Sequence, residues 1–357
     1  MIKGDSPFFT AAKGHFPEGF GISSNMKSGL RAARTAALFV GSVVGAGFAT
    51  GQEIALFFGG DGVVSLVVAS LFMAVCAFAF LDMGARRVIA DPRLLLATDT
   101  LLSASSFAVY AAMIAAAEEV LRELTGMAGL SIFFAVGVSL VAGKSISWVS
   151  RLNLLAVPLM VGIIALVGSR CVGGESVDFH PVRALAYGGM NLLFSGALMM
   201  KEGEGLSLRE RIAAAVITGA LLFPMMLFMW RCVAGGSGAD MPFLSVSSDM
   251  GYGTLASLAL LLAILTTMAS TLYLAADRLS TLTGDRLLSL SLLTLGGILL
   301  STLGFAPIVR AVYPVVSALG LVTTLSSLFF LSSVLWRKKF EHRERMCSST
   351  EGELPKE

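Results

Sequence analysis

The chain has 357 residues, a formal net charge of +2, 55% apolar residues and only 14% charged ones. An ordinary soluble domain carries nearer a quarter charged residues, so the composition excludes that class, and a net charge this small gives no basic surface for nucleic acid. Apolar runs of about 20 residues recur along the whole length, each long enough to cross a bilayer.

Ten spans are predicted, at roughly 35–57, 62–83, 98–121, 127–143, 152–168, 183–200, 210–232, 252–276, 287–305 and 311–335. With ten spans, the 26 Lys and Arg residues sort by side: only Arg122, Arg170, Arg183, Arg231 and Arg310 fall opposite the termini. The positive-inside rule then places both termini in the cytoplasm of a bacterial inner-membrane protein. The segment 1–33 reads as a polar, disordered tail, and Met26-Lys27 is a candidate start. Lys27, Arg31 and Arg34 before an apolar run imitate a signal peptide, but the run continues past Ala49, and cleavage there would leave nine spans.

Span 1 holds the most unusual stretch. Gly41, Gly45, Gly47 and Gly51 precede Gln52 and Glu53 directly. Glycine weakens a helix and exposes its backbone, and a break at membrane depth needs protein or a polar cavity around it. The competing explanation is close helix packing through Gly41-x-x-x-Gly45 and Gly47-x-x-x-Gly51. A break would leave carbonyls near Val43, Val44 and Gly45 for a cation. It would also leave amides around Gly47–Gly51, at the start of an outer half-helix, for an anionic group of a small-molecule substrate. Glu53 is grouped with Glu118 and Glu119 as an acid inside the spans. An acid at that depth is functional by default, and three roles compete for Glu53: capping the half-helix, carrying a proton, or pairing with Arg310 as an outer gate.

Span 3 carries Tyr110, a candidate substrate contact, and then Glu118 and Glu119, with Arg122 one turn beyond as a candidate interfacial ion-pair partner. Span 5 contains Pro158, a candidate kink. An outer loop follows with Glu175, Asp178 and His180. Span 6 repeats the interruption of span 1 with Tyr187-Gly188-Gly189, Asn191 and Ser195-Gly196, so a second break is expected there, with Tyr187 and Asn191 facing substrate. Span 8 concentrates Thr266, Thr267, Ser270 and Thr271 within six residues. These hydroxyls either complete an oxygen cage for sodium or bond back to their own helix. The tail from 337 to 357 is basic, and its end from 346 reads as disordered.

Ten spans divide into two sets of five, 34–169 and 183–336. An odd number per set forces the two halves into opposite orientations. Paired glycine-interrupted spans at corresponding positions point to the binding site of an inverted-repeat transporter. No cofactor is implied beyond sodium as a candidate coupling ion. Cys171 and Cys232 fall on the same outer face, and either pair or remain two free thiols. The histidines are His15, His180 and His342, all outside the spans. They make no zinc pair or catalytic set, so an enzyme is not expected.

Val44-Gly45-Ala46-Gly47-Phe48-Ala49-Thr50-Gly51-Gln52-Glu53-Ile54, followed by Phe57-Phe58, resembles the first span of the YkvI-like bacterial membrane proteins. Asn191-Leu192, Met241-Pro242, Leu265-Thr266-Thr267 and Leu272-Tyr273 extend the resemblance over about 33–336. It implies kinship with the amino acid–polyamine–organocation superfamily, hence an all-helical LeuT-type five-plus-five fold with broken helices 1 and 6, and secondary transport, often of amino acids. It also implies a sodium site at Val43 or Val44 with Thr266 and Thr267. In the sodium-coupled branch the outer half of span 1 carries a basic residue. Here it carries Glu53, with Arg310 on span 10, so the polarity is reversed.

Overall fold

The computed structural model describes residues 24–86, 92–144, 146–173, 178–235, 239 and 241–351. Expectations about 1–23, 352–357 and the loop around Glu175 lie outside the described residues. Among the described residues there are thirteen helices: α1 (Ser24–Val43), α2 (Ala46–Ala49), α3 (Gln52–Phe58), α4 (Val63–Ala85), α5 (Pro92–Thr125), α6 (Leu130–Lys144), α7 (Ile146–Gly168), α8 (Pro181–Gly203), α9 (Leu208–Gly235), α10 (Pro242–Asp249), α11 (Gly253–Thr283), α12 (Arg286–Ser301) and α13 (Phe305–Glu351).

These are the ten expected spans. Helices α1 to α3 together form the first, and α10 is a short extra helix in the connection between the seventh and eighth. By length and composition, α4, α9 and α11 and the described parts of α5 and α13 suit a membrane crossing. The chain is a multi-pass membrane protein. Two boundaries differ from expectation. Helix α1 already begins at Ser24, inside the segment assigned to a disordered tail, and α13 continues to Glu351 through the basic segment. Nothing in that stretch breaks a helix: its Glu, Arg and Lys residues are good helix formers.

Parallel helices α4 and α8 form the centre, and α13 packs against the other side of α8. The close approach depends on glycine at particular points. A Cβ on Gly189 would stand 2.6 Å from Leu321 N, and one on Gly320 would run into the Gly189 carbonyl. Gly84 faces Met200 O, and Gly203 faces Leu81 O, in the same way. These contacts explain a correction. The expected break in the sixth span is not there: α8 runs through Tyr187-Gly188-Gly189 without interruption, and its glycines serve helix packing.

On the termini side, Asp82 at the end of α4 holds both Arg86 and Arg211, the latter at 2.9 Å. Glu210 closes a capping box with Ser207 and takes Arg31 of α1 at 2.6 Å. On the opposite side, Asp61 in the turn between α3 and α4 is fully buried. It accepts from Ser65 Oγ at 2.7 Å, and meets His180 Nδ1 at 2.8 Å and Arg183 at 3.3 Å. Trp230 of α9 donates to the carbonyls of Phe58 and Asp61. Cys171 and Cys232 form a disulfide that ties the end of α7 to α9 on this side.

Candidate functional site

The first span is interrupted twice. Helix α1 ends at Val43, and Gly45 is extended (φ −90°, ψ −171°). One helical turn follows, α2, and then Gly51 takes φ +82°, which only glycine adopts without strain. The expected break over Gly45–Gly51 is therefore a pair of breaks around a buried turn. The backbone near them is satisfied locally. Gly45 N donates to Val43 O at 2.8 Å, and Gly51 N to Phe48 O at 2.9 Å. Gln52 N donates to Thr50 Oγ1, and Thr50 O accepts from Phe243 N of α10 at 3.2 Å.

Accessibility differs across the first break. Ser42 is exposed, and Gly45, Thr267 and Ser270 are half-buried, whereas every residue from Ala46 to Ile54 is buried. The turn of α2 and the start of α3 are thus enclosed by protein.

Helix α11 meets the first break through one hydroxyl. Ala46 N donates to Thr267 Oγ1 at 3.1 Å. Thr266 donates to Ala263 O and Ser270 to Thr266 O. Of the expected sodium ligands, Thr267 is thus brought to the break beside Val43, Val44 and Gly45, while Thr266 and Ser270 bond back to their own helix. A hydroxyl that donates keeps lone pairs for another partner, so these bonds leave oxygen available.

The second constellation surrounds Gly47. A Cβ there would collide with Glu53 Oε1 and with the Tyr313 hydroxyl. Glu53 is 7% exposed, its carboxylate meets the Tyr313 hydroxyl, and its Oε2 has no hydrogen-bond partner. Tyr187 is fully buried, its ring packed edge-on against Phe58 with centroids 5.2 Å apart, within electrostatic range of Glu53. Asn191 lies one turn on and donates to Tyr187 O at 3.0 Å.

Gly47, Glu53 and Tyr187 thus lie close together, with Asn191 one turn along α8 and Gln52 buried next to Glu53 in the chain. The chemistry differs from the expectation in one respect. The amides of Gly51 and Gln52 are already used within the chain, and the group facing Gly47 is a carboxylate.

Other candidates lie elsewhere. Tyr110 packs against Gly297 of α12, away from the first span, because that face of α5 lies on α12. Glu118 accepts from Gly129 N at 2.7 Å and Ser131 N at 3.3 Å, so it caps the start of α6. Glu119 is half-buried on the same turn of α5. Arg310 is exposed, and the partner of Glu53 on α13 is Tyr313, nearly one turn further along.

Sequence reasoning passed over Tyr313, which stands next to Pro314, and over the buried acids Asp61, Asp82 and Glu210. Arg86, four residues after Asp82, was a readable helical pairing signal. Asp61 had only the hydroxyl of Ser65 within its own segment, since its basic partners His180 and Arg183 come from far along the chain.

Two solved structures resemble this one over most of its length. Mhp1, a nucleobase-cation-symport-1 family transporter in a closed conformation with bromovinylhydantoin bound, aligns with a TM-score of 0.53 at 14% identity, covering 86% of this chain and 92% of that one. The Eremococcus coleocola manganese transporter in complex with an aromatic bis-isothiourea compound gives 0.52 at 15% identity, covering 90% and 79%. No protein-family model matches the chain, and no characterised protein matches it in sequence. The fold is the LeuT-type arrangement of ten spans.

Proposed function

We propose that the protein is a secondary active transporter of the bacterial inner membrane. Its substrate is a small organic solute with a cationic group, amino-acid-like and either zwitterionic or cationic overall, driven by a sodium or proton gradient. The observation that carries this reading is the doubly interrupted first span. Its middle turn is buried among α8, α11 and α13 and presents Glu53, Tyr187 and Tyr313 around Gly47. Irregular backbone at membrane depth persists where protein or a polar cavity surrounds it, and LeuT-type transporters place substrate and ions at such points.

The first-span motif shared with YkvI-like proteins supports the same class. The excess of Lys and Arg on the termini side supports cytoplasmic termini. The Cys171–Cys232 disulfide on the opposite side supports that orientation too, since disulfides persist in oxidising compartments.

The test is uptake by proteoliposomes offered an equimolar mixture of radiolabelled amino acids and polyamines, under an imposed sodium or proton gradient. Gradient-dependent accumulation is expected. Binding without uptake under either gradient would refute transport and point to a nutrient sensor of the same fold.

A further inference from the structure

The surroundings of Glu53 distinguish between the two coupling ions. Three helices face its carboxyl, and two more pack on α3 beside it. Helix α2 contributes Gly47 beneath it. Helix α8 contributes Tyr187 and α13 contributes Tyr313. Helix α9 turns Met229, Trp230 and Val233 toward α3 and its cap, and α10 brings Phe243 against Gly51. Among the described residues, the titratable groups facing Glu53 are therefore two phenols, Tyr187 and Tyr313. Arg310, nearly one turn before Tyr313 on α13, is exposed.

Two features say what the box can hold. A single carbon built on Gly47 would already overlap both Glu53 Oε1 and the Tyr313 hydroxyl, so the carboxyl and the phenol are packed directly onto the backbone of α2. Glu53 Oε2 is nonetheless buried with no hydrogen-bond partner. A buried charge without a partner is costly, and a neutral acid in the same place is far less so.

We infer that Glu53 is the proton-binding site of the transport cycle. Oε2 takes a proton from water as α8 and α13 close over α3, and returns it to water when they part toward the other side. Each turnover then moves one proton across the membrane along with the substrate. The inference rests on the transporter reading for its role in the cycle, but the proton site can be tested separately.

Infrared difference spectra between acid and alkaline buffers, recorded on the purified protein in liposomes, read the proton directly. The expected result is a neutral-carboxyl carbonyl band that shifts slowly in heavy water, is missing from Glu53→Gln, and moves in Tyr313→Phe. A band that exchanges at once in the wild type, or that persists in Glu53→Gln, overturns the assignment. In proteoliposomes given the labelled mixture, Glu53→Gln should lose accumulation driven by a proton gradient. Full accumulation by Glu53→Gln overturns the coupling role. Absence of both accumulation and exchange in the wild type would count against transport itself, and the infrared result would still decide the proton site.

Discussion

Gly189 is the position where the packing of α8 can be measured. Replacing it with Ala has two opposed effects. Ala is better than Gly in a helix by about 0.8–1 kcal/mol. Against that, the new Cβ would stand 2.6 Å from Leu321 N and 2.7 Å from its Cα. Both are backbone atoms, so α13 must move as a body, and overpacking of this kind costs about 1–3 kcal/mol. Gly162→Ala on α7 supplies the reference, because a Cβ there meets nothing within 4 Å. The propensity gain cancels between the two variants, so Gly189→Ala should be less stable than Gly162→Ala by about 1–3 kcal/mol. Equilibrium unfolding of the purified proteins in mixed micelles by added dodecyl sulfate reads the difference. Gly320→Ala presses on the same contact from α13, so its effect should not add to that of Gly189→Ala. If Gly189→Ala proved as stable as Gly162→Ala, α8 would not be packed on α13 as described, and a role for Gly189 in an interrupted helix would return.

Two further outcomes follow from the site and its outer wall. Thr267→Val removes the acceptor for Ala46 N–H and should cost about 1–2 kcal/mol, with Thr267→Ser restoring most of it. Thr266→Val removes only a bond within α11 and should cost less in the same unfolding assay; a larger loss for Thr266→Val would contradict the assignment of Thr267 as the hydroxyl at the break. Replacing Cys171 and Cys232 by Ala opens a loop spanning 61 residues, which should lower stability by up to about 4 kcal/mol. Non-reducing peptide mapping should find the two joined and the buried Cys76 unreactive to thiol reagents until the protein unfolds.

The architecture was legible because membrane crossings announce themselves by apolar length, and because Lys and Arg sort by side. The first break was legible for a related reason. Four glycines leading into Gln52-Glu53 make a poor apolar helix, and the local preference agreed with the tertiary outcome. The same signal misled in α8. Glycine marks both a break and a close approach, and only the position of Leu321 and Gly320 across the interface separates the two. The span 8 hydroxyls divided for a similar reason: Thr266 and Thr267 are adjacent in sequence but point about 100° apart on a helix, so only one reaches Ala46. Tyr313 and Asp61 were invisible because their partners lie far along the chain, at Glu53 and at His180, Arg183 and Trp230.

Thr50 lies just before the second interruption, and its carbonyl is taken by the amide of Phe243. That amide belongs to a helix outside the first span. If the chain at Gly51 were to straighten into continuous helix, the Thr50 carbonyl would be claimed from within and Phe243 would be released. The kink at membrane depth and the seating of α10 at the surface are therefore the same event seen from two places. A binder that pins α10 from the aqueous side would freeze the span beneath it, and one that lifts α10 would free it, so the state of the interior could be set from outside the membrane.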